Sequence, residues 1–543
     1  MTKNKLHSIN LLIILFMSIL YSVPLFMKNG VIHYADQDTI FHLSRIIGLS
    51  NVWESPVNFN NFHNHGTMMN NFYPWLTLYP AYMLFKLTNN LTISYQIYYF
   101  AVTIVTMLIA YYSMHVVKKN PFISLIFALT YSFAAYRTSD IFQRASLGEV
   151  LALTFLPLIL AGCIEVFFGN YHYWTLITIG MTLVLYSHLL SVMMIAVIMS
   201  VAILFSFYFW DNKWKRIQSL FYATICTLFL SIGFLLPFIQ QNFSQEVKVP
   251  NPRLLVGMSP FEMIGLMINN NLYGYTIGSM IFVSVFYTLF KVKQLNNIDK
   301  SILYFGVIIL LLSTNLFPWK ILDNTPFASI QFVWRLNIFS TLFIAYSASV
   351  AFCHNMFSNS ANWKKIMTYS LLLITLHASS LINLYYASKD YQTLLTEDII
   401  FESASTYFHT DYANKDSVLY SEVTQNNLYF LDEMPVEVVY DHTDSIFTIK
   451  VDNPKNSSGN LITPIYRYLG QDIKVNNIES KSTLSRFGTT EVVVPPGQSI
   501  IEISYHYTTL AVISKILNGI FAIGFIIYIY FAKKRRKLLL SEA

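Results

Sequence analysis

Tyr34-Ala35-Asp36-Gln37-Asp38-Thr39-Ile40-Phe41-His42-Leu43-Ser44-Arg45 follows closely on an apolar run, residues 11–27, which is itself preceded by Lys3 and Lys5. That order decides the fold. A basic N-terminus, an apolar segment close to span length and then a polar stretch means that the polar stretch is delivered to the far side of a membrane. The apolar run is like a secretory signal, but no small-x-small cleavage site follows it, so it reads as a retained anchor. Continued as a helix, Asp38, His42 and Arg45 fall at i, i+4 and i+7 on one face, with Ile40, Phe41 and Leu43 on another. A carboxylate, an imidazole and a guanidinium then point the same way, and Asp36 adds a second carboxylate. From these groups a general base, a hydroxyl or metal ligand and a phosphate clamp can be built. The other reading is a helix N-terminus capped by Asp36 or Asp38, with the remainder solvated.

Of 543 residues, 54% are hydrophobic and only 12% charged, which excludes an ordinary soluble enzyme and indicates a mainly α, polytopic membrane protein. The formal charge of +6 is no nucleic-acid signature, because the basic residues lie in short clusters beside apolar runs. They read as topology. Cys163, Cys226 and Cys353 are isolated in or beside apolar segments and suggest neither a disulfide framework nor a zinc site.

Lys118-Lys119, the group Lys213, Lys215 and Arg216, the group Lys291, Lys293 and Lys300, Lys364-Lys365 and Lys533-Lys534-Arg535-Arg536-Lys537 alternate with the apolar runs as cytoplasmic ends do. The positive-inside rule then predicts about twelve transmembrane helices with both termini cytoplasmic. Three regions are expected: a transmembrane domain over residues 1–386, with a long first outer loop at 28–90; a β-rich extracytoplasmic domain over 387–506; and a final helix with a basic tail over 507–543. Within the first loop, Phe72-Tyr73-Pro74-Trp75-Leu76-Thr77-Leu78-Tyr79-Pro80 is too short and proline-rich for a span and is expected in the outer interface. The β-rich region is read from alternating runs such as Ser445-Ile446-Phe447-Thr448-Ile449-Lys450-Val451, set among Asn, Gly and Pro.

In this topology the ionisable residues near the membrane gather on one side: Asp36, Asp38, His42, Arg45, Arg144, Glu149, His188 and Arg335. Each has a plainer reading. Glu149 can be a helix-start carboxylate, His188 a hydrogen-bonded residue at a helix bend, and Arg335 beside Trp334 an interface anchor. A transporter needs polar groups at mid-span, and few are present, so an outward-facing site is favoured over a transmembrane route. Paired carboxylates with arginines at a membrane surface suit a lipid substrate with a phosphate head. No ligand spacing specifies a metal; a divalent ion on Asp36 and Asp38, or on His63 and His65, stays open.

Asp36-Gln37-Asp38 resembles the modified Asp-x-Asp signature of GT-C-fold glycosyltransferases. More closely, residues 38–46, Phe72-Tyr73-Pro74, Leu147-Gly148-Glu149, Ser187-His188-Leu189, Leu236-Pro237-Phe238 and Gln331-Phe332-Val333-Trp334-Arg335, with the β-rich tail, resemble in their order bacterial YfhO-like membrane proteins. The chain departs from them at Val333, where proline is expected, and at Thr67-Met68-Met69-Asn70, where a Gly-rich turn is usual. The resemblance implies inverting transfer of a sugar from a polyprenyl-phosphate donor to a cell-envelope glycan, lipid or polymer outside the membrane. Asp38, with Asp36, would be catalytic, while His42, Arg45, Arg144, Glu149, His188 and Arg335 would bind substrate. A flippase or exporter, or a non-catalytic assembly protein for lipid-linked envelope polysaccharide, is the alternative.

Overall fold

A computed structural model describes residues 3–34, 38–250, 253–356 and 363–541. Most of the described residues are helical, and ten of the twelve strands among them gather near the C-terminus. Seven helices among the described residues are long and apolar enough to cross a membrane: Lys5–Phe26, Leu91–Lys118, Leu147–Phe168, Leu189–Phe209, Val333–His354, Trp363–Ala387 and Thr509–Lys534. The chain is a multi-pass membrane protein.

Helices also occupy the other five segments read as crossings, but not at span length. Pro121–Ser132 and Trp174–Leu185 have 12 residues, Gly278–Phe290 has 13 and Asn297–Leu312 has 16. At 1.5 Å per residue a 12-residue helix is about 18 Å long, short of the roughly 30 Å hydrocarbon core. The fifth is a pair, Lys213–Leu230 and Ile232–Ser244, bent by 69°. Length and composition show seven spans among the described residues, or eight with the bent pair. The bend falls at Ser231 and not at Pro237, which is carried inside the second helix.

By internal contacts the chain divides into two units. The first comprises Met1–Thr39, Thr88–Ile225 and Pro252–Thr396; the second comprises Ile40–Leu87, Cys226–Asn251 and Glu397–Ala543. In the first, helix Leu147–Phe168 is almost wholly buried and packs along Trp174–Leu185. Two glycines set that approach: a Cβ at Gly162 would lie 2.9 Å from the Ile177 backbone nitrogen, and one at Gly180 would lie 2.5 Å from Ile159 Cγ1. Without hydrophobic drive between helices in lipid, such small residues allow the close contact that holds them. Strand Val31–His33 pairs antiparallel with Thr393–Leu395 and ties the exit of the first helix to the exit of Trp363–Ala387.

The second unit contains two antiparallel five-stranded sheets sharing one core. Period-two alternation buries Phe447, Ile449 and Val451 on one strand and Ile501, Ile503 and Tyr505 on its neighbour. This core is completed from far away in sequence. Val57, Phe59, Met68 and Phe72 of the first loop join it, Phe59 against Phe447 and Tyr505, and Phe72 stacked 5.0 Å from Tyr412. Phe72 is thus a core residue and not an interfacial one, whereas Trp53, Trp75 and Tyr79 form a partly exposed aromatic cluster beside it. The loop is anchored by Phe59 N–H donating to Asp444 O at 3.0 Å and Tyr466 N–H donating to His65 O at 2.9 Å. Phe62, His63 and Asn64 all take positive φ (48°, 61° and 59°), strain that this dense setting sustains.

His65 lies in this setting with its ring stacked on His63 and its Nε2 2.9 Å from Asn427 Oδ1. Burial, with the neighbouring His63, pushes its imidazole down from 6.5 to about 3. The unfolded chain then binds a proton that the folded chain refuses. Stability is full above pH 6.5 and is expected to fall by up to about 1.4 kcal/mol per pH unit as pH drops from 6.5 toward 3. Thermal unfolding of the purified protein against pH checks this, and His65→Gln should flatten the dependence. For the expected orientation, engineered cysteines in a background lacking the native three should react with an impermeant reagent at Asp441 but not at Lys534 in intact cells. The opposite pattern would invert the topology.

Candidate active site

Helix Ala135–Thr138 runs into a π-helical turn, Ser139–Gln143, in which Arg144 N–H reaches back to Ser139 O at 2.9 Å. Such a turn inserts an extra residue and is frequent at functional sites. Ala145 follows with a left-handed φ of 55°, Ser146 N–H donates to Asp140 O at 2.8 Å, and Leu147–Phe168 begins. This compact reversal gathers Asp140, Arg144 and Glu149.

Glu149 is fully buried in the first turn of its helix, where the macrodipole favours an anion. One carboxylate oxygen accepts from Arg144 Nη1 at 2.8 Å and lies 3.3 Å from Arg335 Nε; the other accepts from the Tyr136 hydroxyl. Arg335 is held in turn by donation from Nη1 to Ile330 O at 2.7 Å and to Gln331 Oε1 at 2.9 Å. Aromatic faces cover both cations. Arg144 lies 5.0 Å from the Trp334 ring and Arg335 5.1 Å from Phe332, while Trp334 stacks between Tyr275 and Phe332.

Asp38 approaches from the other side. Its backbone N–H donates to Arg144 O at 3.1 Å, and its carboxylate lies 3.9 Å from Arg144 Nη2 with the side chain 43% exposed. Asp38 is thus the exposed end of a long ion pair. Asp140 is the reverse, fully buried, 3.7 Å from Arg144 and without a hydrogen bond to either carboxyl oxygen. Burial, and then the charge of Glu149, holds its carboxyl well above the usual carboxylate range.

His188 stands just before helix Leu189–Ser206, its Nδ1 2.8 Å from Ser191 Oγ, within electrostatic range of Glu149. An apolar groove of about 400 Å³ runs along the helices that carry Glu149, His188 and Arg335. Its lining begins at Leu156, Ile195 and Phe339, one to two turns beyond those three residues, and continues along the first of these helices to Phe168. From Glu149 to Phe168 is about 28 Å of helix.

The structure thus brings together Asp38, Arg144, Glu149 and Arg335, with His188 near them. Arg45 and His42 belong to the second unit, on a helix, Thr39–Ile47, that starts immediately after Asp38. There Arg45 donates to Tyr73 O and Pro74 O and to Asn70 Oδ1, lies 4.0 Å from the Tyr73 ring, and meets His42 Nδ1 at 3.4 Å. Asp36 falls outside the described residues. Among those described, no group of three His, Cys, Asp or Glu side chains could hold a metal ion. Three participants were not singled out from sequence: Asp140, Tyr136 and Tyr275. The i, i+4 spacing of Asp140 and Arg144 is a local signal that could have flagged the first; Tyr275 has none.

No protein-family model matches the chain, and no curated protein sequence does. Among solved structures, the cryo-EM structure of the arabinofuranosyltransferase AftD from Mycobacteria matches at 11% identity with a TM-score of 0.42. The match covers 78% of this chain and 29% of that one, so the chain spans less than a third of AftD.

Removing the buried carboxylate strips Arg335 of its ion pair with Glu149 and Arg144 of its shortest one, so Glu149→Ala is expected to cost about 3–5 kcal/mol in denaturant unfolding of the detergent-solubilised protein. Asp38→Asn breaks only a loose, half-exposed pair and should cost under about 1 kcal/mol in the same measurement.

Proposed function

We propose that this chain is a glycosyltransferase of GT-C type, moving a sugar from a polyprenyl phosphate to a hydroxyl of a cell-envelope glycan, lipid or polymer on the outer face of the membrane. One observation carries the reading. Two arginines converge on a buried carboxylate at the head of an apolar groove between membrane helices. A phosphate head with an isoprenoid tail has the matching order of chemistry, an anion for the guanidinium forks and a chain for the groove. The resemblance in sequence to YfhO-like proteins supports the same reading. On it the chain crosses twelve times, with the shorter helices completing the count, both termini cytoplasmic and the β-rich region outside.

Arg144 and Arg335 hold the donor phosphate, with Glu149 fixing both guanidiniums and His188 beside them. Asp38 takes the acceptor proton as the acceptor oxygen bonds to the anomeric carbon from the face opposite the phosphate. The bond from that carbon to the phosphate oxygen breaks with its electron pair, and polyprenyl phosphate leaves against the arginines. Inversion follows from that single displacement. Asp36 orients the acceptor or binds a divalent ion.

Purified protein with a panel of polyprenyl-phosphate sugars tests this. Asp38→Asn is expected to lower turnover by roughly 10²–10⁴ with unchanged membrane expression. Arg335→Lys keeps the charge but loses the fork, and should weaken donor use. Full activity in Asp38→Asn would remove it as the base, and no transfer from any polyprenyl-phosphate sugar would overturn the reading.

A further inference from the structure

We propose that the acceptor hydroxyl is itself carried on a membrane lipid with an anionic head, whose chain occupies a second cavity of the first unit; this rests on the glycosyl-transfer reading above. The cavity measures about 700 Å³ and lies among helices Lys3–Ser22, Leu91–Lys118 and Trp363–Ala387. That is within the roughly 300–1,000 Å³ of small-molecule sites. It shares no lining residue with the groove below Glu149.

Its position is informative. Thr39 and Ala145 form part of its wall, and they are the chain neighbours of Asp38 and Arg144. Asp38, the proposed base, is therefore one residue from this cavity's wall, while the groove's lining begins one to two turns from residues of the same cluster. Two separate apolar spaces meeting one polar centre suit two lipid chains, where a water-soluble acceptor would need only one.

The chemistry of the walls fits an amphiphile. Leu20, Leu25, Ile374 and Leu381 supply apolar surface, and Lys28 adds a cation beside the end of the first span. Tyr385 and Tyr386, both exposed at the end of helix Trp363–Ala387, add phenol groups to the same lining. Lysine and tyrosine at a span end are the residues that meet lipid head groups. Charge complementarity with Lys28 selects an anionic head.

Photo-crosslinking of the full chain in nanodiscs decides the matter, using a diazirine-tagged phosphatidylglycerol and a diazirine-tagged polyprenyl phosphate as probes. The phosphatidylglycerol probe should label the segments around residues 20–34 and 374–386 and persist in excess polyprenyl phosphate. Ala378→Trp or Leu25→Trp, which fill the cavity, should cut that labelling by about tenfold while leaving polyprenyl labelling near Cys163 intact. Displacement by polyprenyl phosphate, or labelling indifferent to both tryptophans, would overturn the inference, the latter marking annular lipid only. Transfer to a soluble acceptor but not to a lipid one would also overturn it while leaving the transferase standing. Absence of any transfer counts against the transferase reading, and the displacement result still decides the cavity.

Discussion

The buried carboxylate of Glu149, shared between Arg144 and Arg335, is the constraint on which the arrangement of the first unit depends. A charge removed from water is costly by several kcal/mol, and the cost is offset only when partners and hydrogen bonds are complete. Each element around Glu149 supplies one part of that completion. The π-turn and the left-handed Ala145 return Arg144 to the carboxylate, the 3₁₀ turn Val333–Leu336 delivers Arg335, and Tyr136 satisfies the remaining oxygen. The aromatic ladder of Tyr275, Trp334 and Phe332 then shields the guanidiniums without neutralising them.

This economy also separates three acids by environment. Glu149 is ion-paired, Asp140 is buried with its carboxyl held well above the usual carboxylate range, and Asp38 is half exposed at the end of a 3.9 Å ion pair. Divergent environments of this kind divide acid and base roles among chemically similar groups. Of the three, Asp38 is the most exposed, and its chain neighbour Thr39 lines the second cavity.

The second unit follows a different logic. Its sheets cannot close their core alone, and the first loop supplies Phe59, Met68 and Phe72 across several hundred residues of sequence. The same loop holds Arg45 on the carbonyls of Tyr73 and Pro74, so a guanidinium that looked available is engaged in positioning its turn. The motif Phe72-Tyr73-Pro74 is thereby explained by core filling and carbonyl presentation.

Much was legible in sequence because it rests on local rules. Apolar run length and the alternation of basic ends gave the helical segments, and period-two alternation at 446–451 and 499–505 marked strands. Arg144 and Glu149 stood out as candidate site residues because polar groups beside apolar spans are costly and so conspicuous. The length of each helix was not legible: Phe133 ends Pro121–Ser132 by turning its N–H back to Leu129 O and Tyr131 O, and hydropathy does not register such a stop. Nor was Asp140, whose raised carboxyl comes from burial and from Glu149 nine positions on.

The sequence by itself determined a multi-pass membrane protein with a β-rich region before its last helix, since hydropathy and alternation act over a few consecutive residues. Only the tertiary structure decided that Arg144 and Arg335, 191 positions apart, meet on one carboxylate, and that the first loop fills the core of the sheets. Such pairings are properties of three-dimensional closure, in which burying a charge or an aromatic ring selects its partner from anywhere in the chain.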